Sequence, residues 1–473
     1  MSATQPIQPV TAQLSAWAAS FKLDDAPAEV VQRMKALVLD FLRVVTVGQP
    51  LPWSRAARNL TLQLGGKAES SLVLCGSKVD AARAAFVNGA YAHACDLDDT
   101  HVGSMHHAGA SILPAVLAMA ERDNLDGRTL LTAAIIGYEA SLRIGLATQP
   151  ALFQRGFMAT PVCGAMGAAL AVSKCLNLNE KDMAGALGAA GAYAGGLAQF
   201  YLSGGVTKRL NGARGAESGV MAALLSQAGI WGPRDILEGE AGFFHAFSGA
   251  PKPEKITGDL GQGFRLMEVS TKIHAGAGRL QATVDAGLAL GFEHKLTPAQ
   301  VVECEVGIPK VVQGRLTQND PPDLQSAQLS IPFSLAMALG LGRTRGAQAS
   351  LRSTDYDVAL KDAEVRALSN RTLCVLDPWV EAGTNTEEVP TRVTLKLASG
   401  ATHEMKIEHP RGSPHRRMAW EELTALFCDT VGDALPPDRS QKVQTLVAGL
   451  DGGSSVRELM QNFVATPQWL AKS

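Results

Sequence analysis

Apolar residues recur at helical spacing from the start of the chain. Between Thr11 and Val47 the series Leu14, Trp17, Ala18, Phe21, and then Val30, Val31, Met34, Leu37, Val38, Phe41 and Leu42, follows the i, i+3, i+4 rule and predicts two amphipathic helices. The same period returns, richer in Ala, over 81–121, 128–147, 164–176, 180–195 and 217–227. Gly and Ala placed inside periodic apolar segments let helices approach closely, which fits a tightly packed helical domain rather than disorder. The character changes near Gly261. A Gly-Gln-Gly-Phe run precedes a helix-like Leu280 to Leu290, Val301 to Ile308 reads as a strand, and 391–407 reads as strand, Ser-Gly turn and strand. After Pro410-Arg-Gly-Ser-Pro414, the residues Trp420, Leu423, Leu426 and Phe427 restore the helical period. The expected fold is mainly α with an inserted α+β domain: residues 1–265 plus 406–473 form a large all-helical domain, and 266–405 a smaller α+β lid. No solenoid-type repeat interrupts this layout.

At 473 residues, two domains, or one large helical domain with an insertion, is the expectation. Basic and acidic residues nearly cancel, 43 against 45, for a net charge of −2. That balance provides no footprint for nucleic acid or an acidic membrane surface, so an anionic substrate has to be held by local cations. Seven Cys stand at 75, 95, 163, 175, 304, 374 and 428 without a CxxC pair, which excludes a zinc ribbon and argues for reduced thiols in a cytoplasm. The first nine residues lack the basic and apolar regions of a secretory signal, and no run of about 20 apolar residues is read as a membrane span.

Chemistry concentrates between Tyr91 and His107, where four His (93, 101, 106, 107) and three Asp (96, 98, 99) share one stretch with Thr100 and Ser104. If the preceding helix runs on through Asp96, then His93, Asp96 and Thr100 lie on one of its faces. Val102-Gly-Ser-Met105 breaks the period and lets His106 and His107 return toward that face, ahead of a helix starting near Ile112 that contains Pro114. A carboxylate, a hydroxyl and an imidazole then converge at a helix junction. Clustered carboxylates and imidazoles also suit a metal. Asp98 and Asp99 read more simply as capping or salt-bridge groups at a helix end.

The run His93-Ala-Cys-Asp-Leu-Asp-Asp-Thr100 followed by His106 resembles the signature of the MmgE/PrpD family, which includes 2-methylcitrate dehydratases, cis-aconitate decarboxylases and an iminodisuccinate epimerase. Similar segments follow in the family's order: 156–160, 207–212, 232–239, 327–332 and 410–414. The resemblance implies an active site in the cleft between helical domain and lid, no metal, no cofactor, and a homodimer acting on a small polycarboxylate. It assigns Asp96, Thr100 and His106 to the site, with His107 standing where the family has Pro. It further assigns Lys208, in a Gly-flanked entry to a helix that begins near Ala213, and Lys272 as a second cation at the lid edge. A cation at a helix N-terminus is a ready carboxylate site. His274 is a further contact, of lower rank because it would face away from Lys272 on a strand.

Two departures stand out. Met158 occupies a position where family lyases carry His, and Ala277 one where they carry His or Cys. Both are expected to line the substrate pocket. Glu139 and Arg143, beside Tyr138, read as an i,i+4 pair on a helix surface, and Arg411 as part of a turn between domains.

The shared chemical problem is breaking a bond at a carbon next to a carboxylate. Lys208 and Lys272 suit the binding of carboxylates, and His106 with Asp96 suits proton transfer. The leading expectation is a cofactor-independent hydro-lyase acting on a small di- or tricarboxylic acid. Epimerisation of an α-substituted dicarboxylate and decarboxylation of the cis-aconitate type are the alternatives, with a non-catalytic binding protein and a metal hydrolase built on the His93 to His107 cluster as readings from other classes.

Overall fold

The computed structural model describes residues 9–200 and 204–471. The opening stretch read for a signal peptide therefore lies almost wholly outside the described residues. Helix accounts for 59 % of the structure and strand for 9 %, so the fold is mainly α with a smaller α+β part.

Two compact units are present. The first comprises Met1–Ala94, Asp98–Val269 and Ala419–Ser473, and the second Cys95–Leu97 and Ser270–Met418. The second unit thus extends to Met418 where the sequence pattern placed its end at 405. The reason lies in the 410–414 turn, whose Arg411 backbone N–H and Nε donate to Asp285 at 2.8 and 2.9 Å. Gly412 O accepts the Thr271 N–H at 2.9 Å in the same unit.

In the first unit the helices Ala81–Ala92, Gly109–Asp123, Gly127–Thr148, Ala159–Cys175 and Asn211–Gln227 pack on one another. Their starts are set by short polar residues: the Asp80 carboxylate accepts the Arg83 N–H at 3.1 Å, and Asp126 that of Thr129 at 2.9 Å. Gly127–Thr148 is 22 residues long and apolar enough to match a membrane span, contrary to the expectation that no such run exists. Since 94 % of its most apolar window is buried within the protein, it is a core helix. Its charged pair is correspondingly not on a surface. Glu139 and Arg143 are both buried, joined at 3.0 Å, and Arg143 continues to Asp259 Oδ1 at 2.7 Å and to Ile256 O at 3.0 Å. Glu139 Oε1 accepts the Leu266 N–H. Burial pushes the Glu139 carboxyl upward, and the Arg143 charge opposes that shift.

In the second unit a four-stranded sheet has the order 372–376, 301–308, 391–397, 402–407. The first two strands are parallel, with Cys304 opposite Thr372, and the other pairings are antiparallel, with Thr391 opposite Ile407. Val301–Ile308 is the expected strand. Thr372–Leu376 was not anticipated, because its alternation is short and half exposed. Leu280, Val284, Leu288, Phe333, Val306 and Leu395 belong to one buried core, which places the helices Gln281–Glu293 and Ile331–Arg345 against the sheet.

Candidate active site

The Ala81–Ala92 helix stops earlier than its sequence suggests. His93 is its C-cap, with φ −89° and ψ 4°, and Asp96 sits in the left-handed region at φ 55°. The expected shared face of His93, Asp96 and Thr100 does not form. The backbone of 95–97 instead bonds within the second unit: Cys95 O accepts the Gln328 side-chain amide at 2.7 Å, and Asp96 O accepts the Gly276 N–H at 3.1 Å. These bonds replace the helical continuation of the carbonyls.

Within the second unit, Lys272 Nζ donates to Asp96 Oδ1 and Asp96 O, both at 2.8 Å, and to Gly276 O at 3.3 Å. Both side chains are fully buried. Lys272, expected as a clamp for a substrate carboxylate, therefore spends donors on a carboxylate of its own chain. His274 is likewise occupied. Its Nδ1 accepts the Leu351 N–H at 3.2 Å, so the ring proton is on Nε2, which faces Asp285 Oδ1 at 3.0 Å. Burial lowers the His274 pKa, which keeps the ring neutral. With both nitrogens engaged, it holds the 270–277 segment to the Asp285 helix. Ala277 ends that segment, its N–H donating to Gln328 O at 3.0 Å.

The first unit gathers the remaining histidines. His101 and His106 close a narrow loop through paired backbone bonds, His101 N–H to His106 O at 2.9 Å and the reverse at 3.2 Å, with Met105 left-handed at φ 52°. His101 is fixed on both sides. Its Nδ1 accepts the Ser104 N–H at 3.1 Å, and its Nε2 meets Glu268 at 3.0 Å. His93 Nδ1 lies 2.6 Å from Asp98 Oδ2, and His107 Nδ1 3.6 Å from the same oxygen, with the two rings edge to face at 5.0 Å. Asp98 thus takes the salt-bridge form of its expected role at the helix end, with the C-cap His93 as its partner. The ligand atoms of His93, Asp98 and His107 fall within 4.8 Å of one another, so this trio is the part of the site that could hold a metal ion. Thr100 is buried as well.

His106 differs from its neighbours. The ring is fully buried, yet neither Nδ1 nor Nε2 has a hydrogen-bond partner among the described residues. Burial, followed by the nearby His107, His101 and His93, drives its pKa well below that of a free imidazole, while Asp98 opposes the shift. The ring is a neutral base with two unspent nitrogens. Its approach depends on Gly164 in the Ala159–Cys175 helix, where a Cβ would lie 2.5 Å from Ser111 Oγ and 3.3 Å from His106 Cε1. Gly164→Ala is expected to destabilise the protein by about 1–3 kcal/mol through overpacking and to lower kcat by displacing the imidazole. Thermal unfolding and steady-state kinetics on the purified variant check both.

Other residues of the sequence reading lie in the same unit. The His107 N–H donates to Thr160 Oγ1 at 3.2 Å, and Met158, the N-cap of the Ala159–Cys175 helix, is buried. Lys208 is also buried. It lies on the 3₁₀ turn Thr207–Leu210, which leads directly into the Asn211–Gln227 helix, two residues earlier than expected. Arg209 is carried by the same turn, its guanidinium 5.5 Å from the Trp53 ring centroid.

Tyr138 and Asp99 form a feature that sequence reasoning missed. Tyr138 Oη donates to Asp99 Oδ2 at 2.6 Å, and the Gly109 N–H to Oδ1 at 3.0 Å, beside a small cavity also lined by Asp40 and Asp98. Burial is the main cause that pushes the Asp99 carboxyl up to about 7. The folded protein therefore holds a proton that the unfolded chain releases near pH 3.8, and stability falls as pH rises from about 4 to about 7. By linkage this loss amounts to at most about 4 kcal/mol. In Asp99→Asn the amide oxygen accepts from Gly109 and the amide donates to Tyr138 Oη, so the variant is expected to lose less stability between pH 5 and pH 8 than the parent, as read by denaturant unfolding at each pH.

Comparison with known proteins places this arrangement. Residues 12–256 match the MmgE/PrpD N-terminal domain and residues 274–452 the MmgE/PrpD C-terminal domain. The chain belongs to the MmgE/PrpD family. Among its relatives, the cis-aconitate decarboxylase-like protein oryM of Aspergillus oryzae is 27 % identical over 95 % of this chain and 96 % of its own length. A cis-aconitate decarboxylase of Aspergillus terreus is 26 % identical over 96 % and 95 % respectively. The human cis-aconitate decarboxylase is 31 % identical over 45 % of each chain.

Membership of the MmgE/PrpD family and the decarboxylase relatives make this chain an enzyme of the lyase type. The histidine-rich loop of this MmgE/PrpD protein lies in the part matched by the N-terminal domain, as does Lys208, while Lys272 precedes the C-terminal match by two residues.

Proposed function

We propose that this protein is a cofactor-independent lyase that breaks a bond beside a carboxylate of a small tricarboxylic acid, with His106 as the proton-transfer group. One observation carries the reading: a wholly buried, neutral imidazole whose two ring nitrogens have no partner among the described residues. Such a group is poor at structural work and well suited to proton transfer. The burial that lowers its pKa also weakens it as a base, but a bound polyanion reverses that effect, since carboxylates beside the ring favour the imidazolium. The base thus gains strength only with substrate in place. Lys208, buried at a helix entry, is suited to carry a substrate carboxylate and to stabilise charge that develops on it. Asp96 and Lys272 enter the proposal as a buried ion pair at 2.8 Å.

In the hydro-lyase form of this proposal, His106 removes the proton next to a carboxylate, and the β-hydroxyl then departs as water by taking that proton from the His106 imidazolium. The second reading is decarboxylation, favoured by relatives named cis-aconitate decarboxylase that align over nearly the whole chain. There the His106 imidazolium, formed by proton uptake when the tricarboxylate binds, gives its proton to the carbanion that the loss of CO2 leaves.

The test is incubation of the purified enzyme in D2O with cis-aconitate and, separately, with hydroxy-tricarboxylates. Alkene formation from the hydroxy acid supports the hydro-lyase, and CO2 release from cis-aconitate supports the decarboxylase. Deuterium entering recovered substrate with neither alkene nor CO2 points to an epimerase and overturns both lyase readings.

A further inference from the structure

Outside the histidine-rich loop, the second unit holds another group of residues with ligand chemistry. We propose that Glu388, His409 and His415 form a binding site for a divalent transition metal of the zinc class. Glu388 is buried, and its Oε1 lies 2.6 Å from His409 Nδ1 and 3.0 Å from His415 Nδ1. The two imidazoles stack at 4.9 Å, and all three ligand atoms fall within 4.8 Å of one another. Glu387 stands next to them, with Oε2 3.4 Å from His415 Nδ1. The other oxygen of the same buried carboxylate, Glu388 Oε2, has no hydrogen-bond partner among the described residues.

Two imidazoles and one carboxylate are a zinc ligand set, with metal–ligand lengths of about 2.0–2.2 Å. A tetrahedral set needs donor atoms roughly 3.3 Å apart at those lengths, slightly wider than the present hydrogen bonds. The two imidazoles, 40 % and 49 % exposed, have room to open by that amount. A cation there also satisfies Glu388 Oε2, an oxygen that is otherwise costly to bury.

The backbone that carries these side chains is already fixed. Asn385 Oδ1 accepts the N–H groups of Glu387 and Glu388 at 2.7 and 3.1 Å. His409 lies two residues after the 402–407 strand, and His415 lies in a turn closed by Ser413 N–H to Pro410 O and Gly412 N–H to Arg416 O. Gly412 is left-handed at φ 81°, and a Cβ there would sit 2.0 Å from Thr271 O, so only glycine fits. Arg411 holds the turn to Asp285. A metal at the three ligands joins the 385–388 loop to this turn and, through Gly412, stiffens the segment that carries Thr271 and Lys272.

The experiment titrates the chelator-treated, full-length protein with Co2+, read by visible absorption, and with Zn2+, read by calorimetry. Three proteins are compared: the parent, His409→Gln/His415→Gln, and His93→Gln, which disables the other possible metal cluster. The expected result is one equivalent per chain in the parent. Because loss of a mere outer-shell partner weakens metal sites by 10–100-fold, the double variant should bind at least about tenfold more weakly and His93→Gln as the parent does. Undiminished binding by the double variant overturns the proposal. So does a loss seen only in His93→Gln, or no binding by the parent at about 100 μM free Zn2+. The replaced histidines are half exposed, and the unfolding temperature of the metal-free double variant verifies that it is folded.

Discussion

His106→Leu is expected to lower kcat by about 10²–10⁴-fold while leaving the unfolding temperature unchanged or higher. Both halves follow from one environment. The ring makes no side-chain hydrogen bond among the described residues and is fully buried, so its two nitrogens carry a desolvation penalty that an apolar side chain of similar size avoids. A histidine retained for structure behaves in the opposite way. His101, bonded at both ring nitrogens to Ser104 and Glu268, should destabilise the protein when replaced, because the buried Ser104 loses its ring partner and Glu268 is left with Arg265. The comparison of His106→Leu with His101→Leu in kcat and in unfolding temperature thus separates a catalytic imidazole from a packed one. Loss of stability without loss of turnover at position 106 would reverse the assignment.

Lys272→Met is expected to cost about 3–5 kcal/mol in unfolding free energy. The variant leaves the Asp96 carboxylate buried, without the ammonium that lies 2.8 Å away. Asp96→Asn should be milder, since Asn tolerates the left-handed backbone at φ 55°. The double variant should recover part of the loss of Lys272→Met, with a coupling of about 0.5–3 kcal/mol in the cycle. Denaturant unfolding of the four proteins gives the coupling directly. Additive effects would mean that the two side chains do not stabilise one another.

The fold was readable where periodicity was strong. Amphipathic spacing located the helices of the first unit, and alternation located Val301–Ile308 and the 391–407 hairpin. The motif singled out His106 as a candidate. Its chemical state was not readable, because that state depends on Gly164 and Ser111 of distant helices. Asp96 was misread because i,i+3 spacing implies a shared face only if the helix continues, and here tertiary bonds to Gln328 and Gly276 capture the backbone. Glu139 and Arg143 were misplaced on a surface for a different reason. The flanking residues of Gly127–Thr148 are apolar all round, which marks a buried helix, and that signal should have outweighed the i,i+4 charge spacing. The link between Asp99 and Tyr138 spans 39 positions and left no local trace.

The most direct test of the central claim is nitrogen NMR of protein labelled in its histidine rings, at pH 7, with and without cis-aconitate, the His106 signals being assigned through His106→Leu. A neutral His106 ring in the free protein, with nitrogen shifts that move toward the imidazolium when the tricarboxylate binds, is the predicted result. Signals from His106 that show a charged ring in the free protein, or that stay unchanged at saturating tricarboxylate, would contradict it.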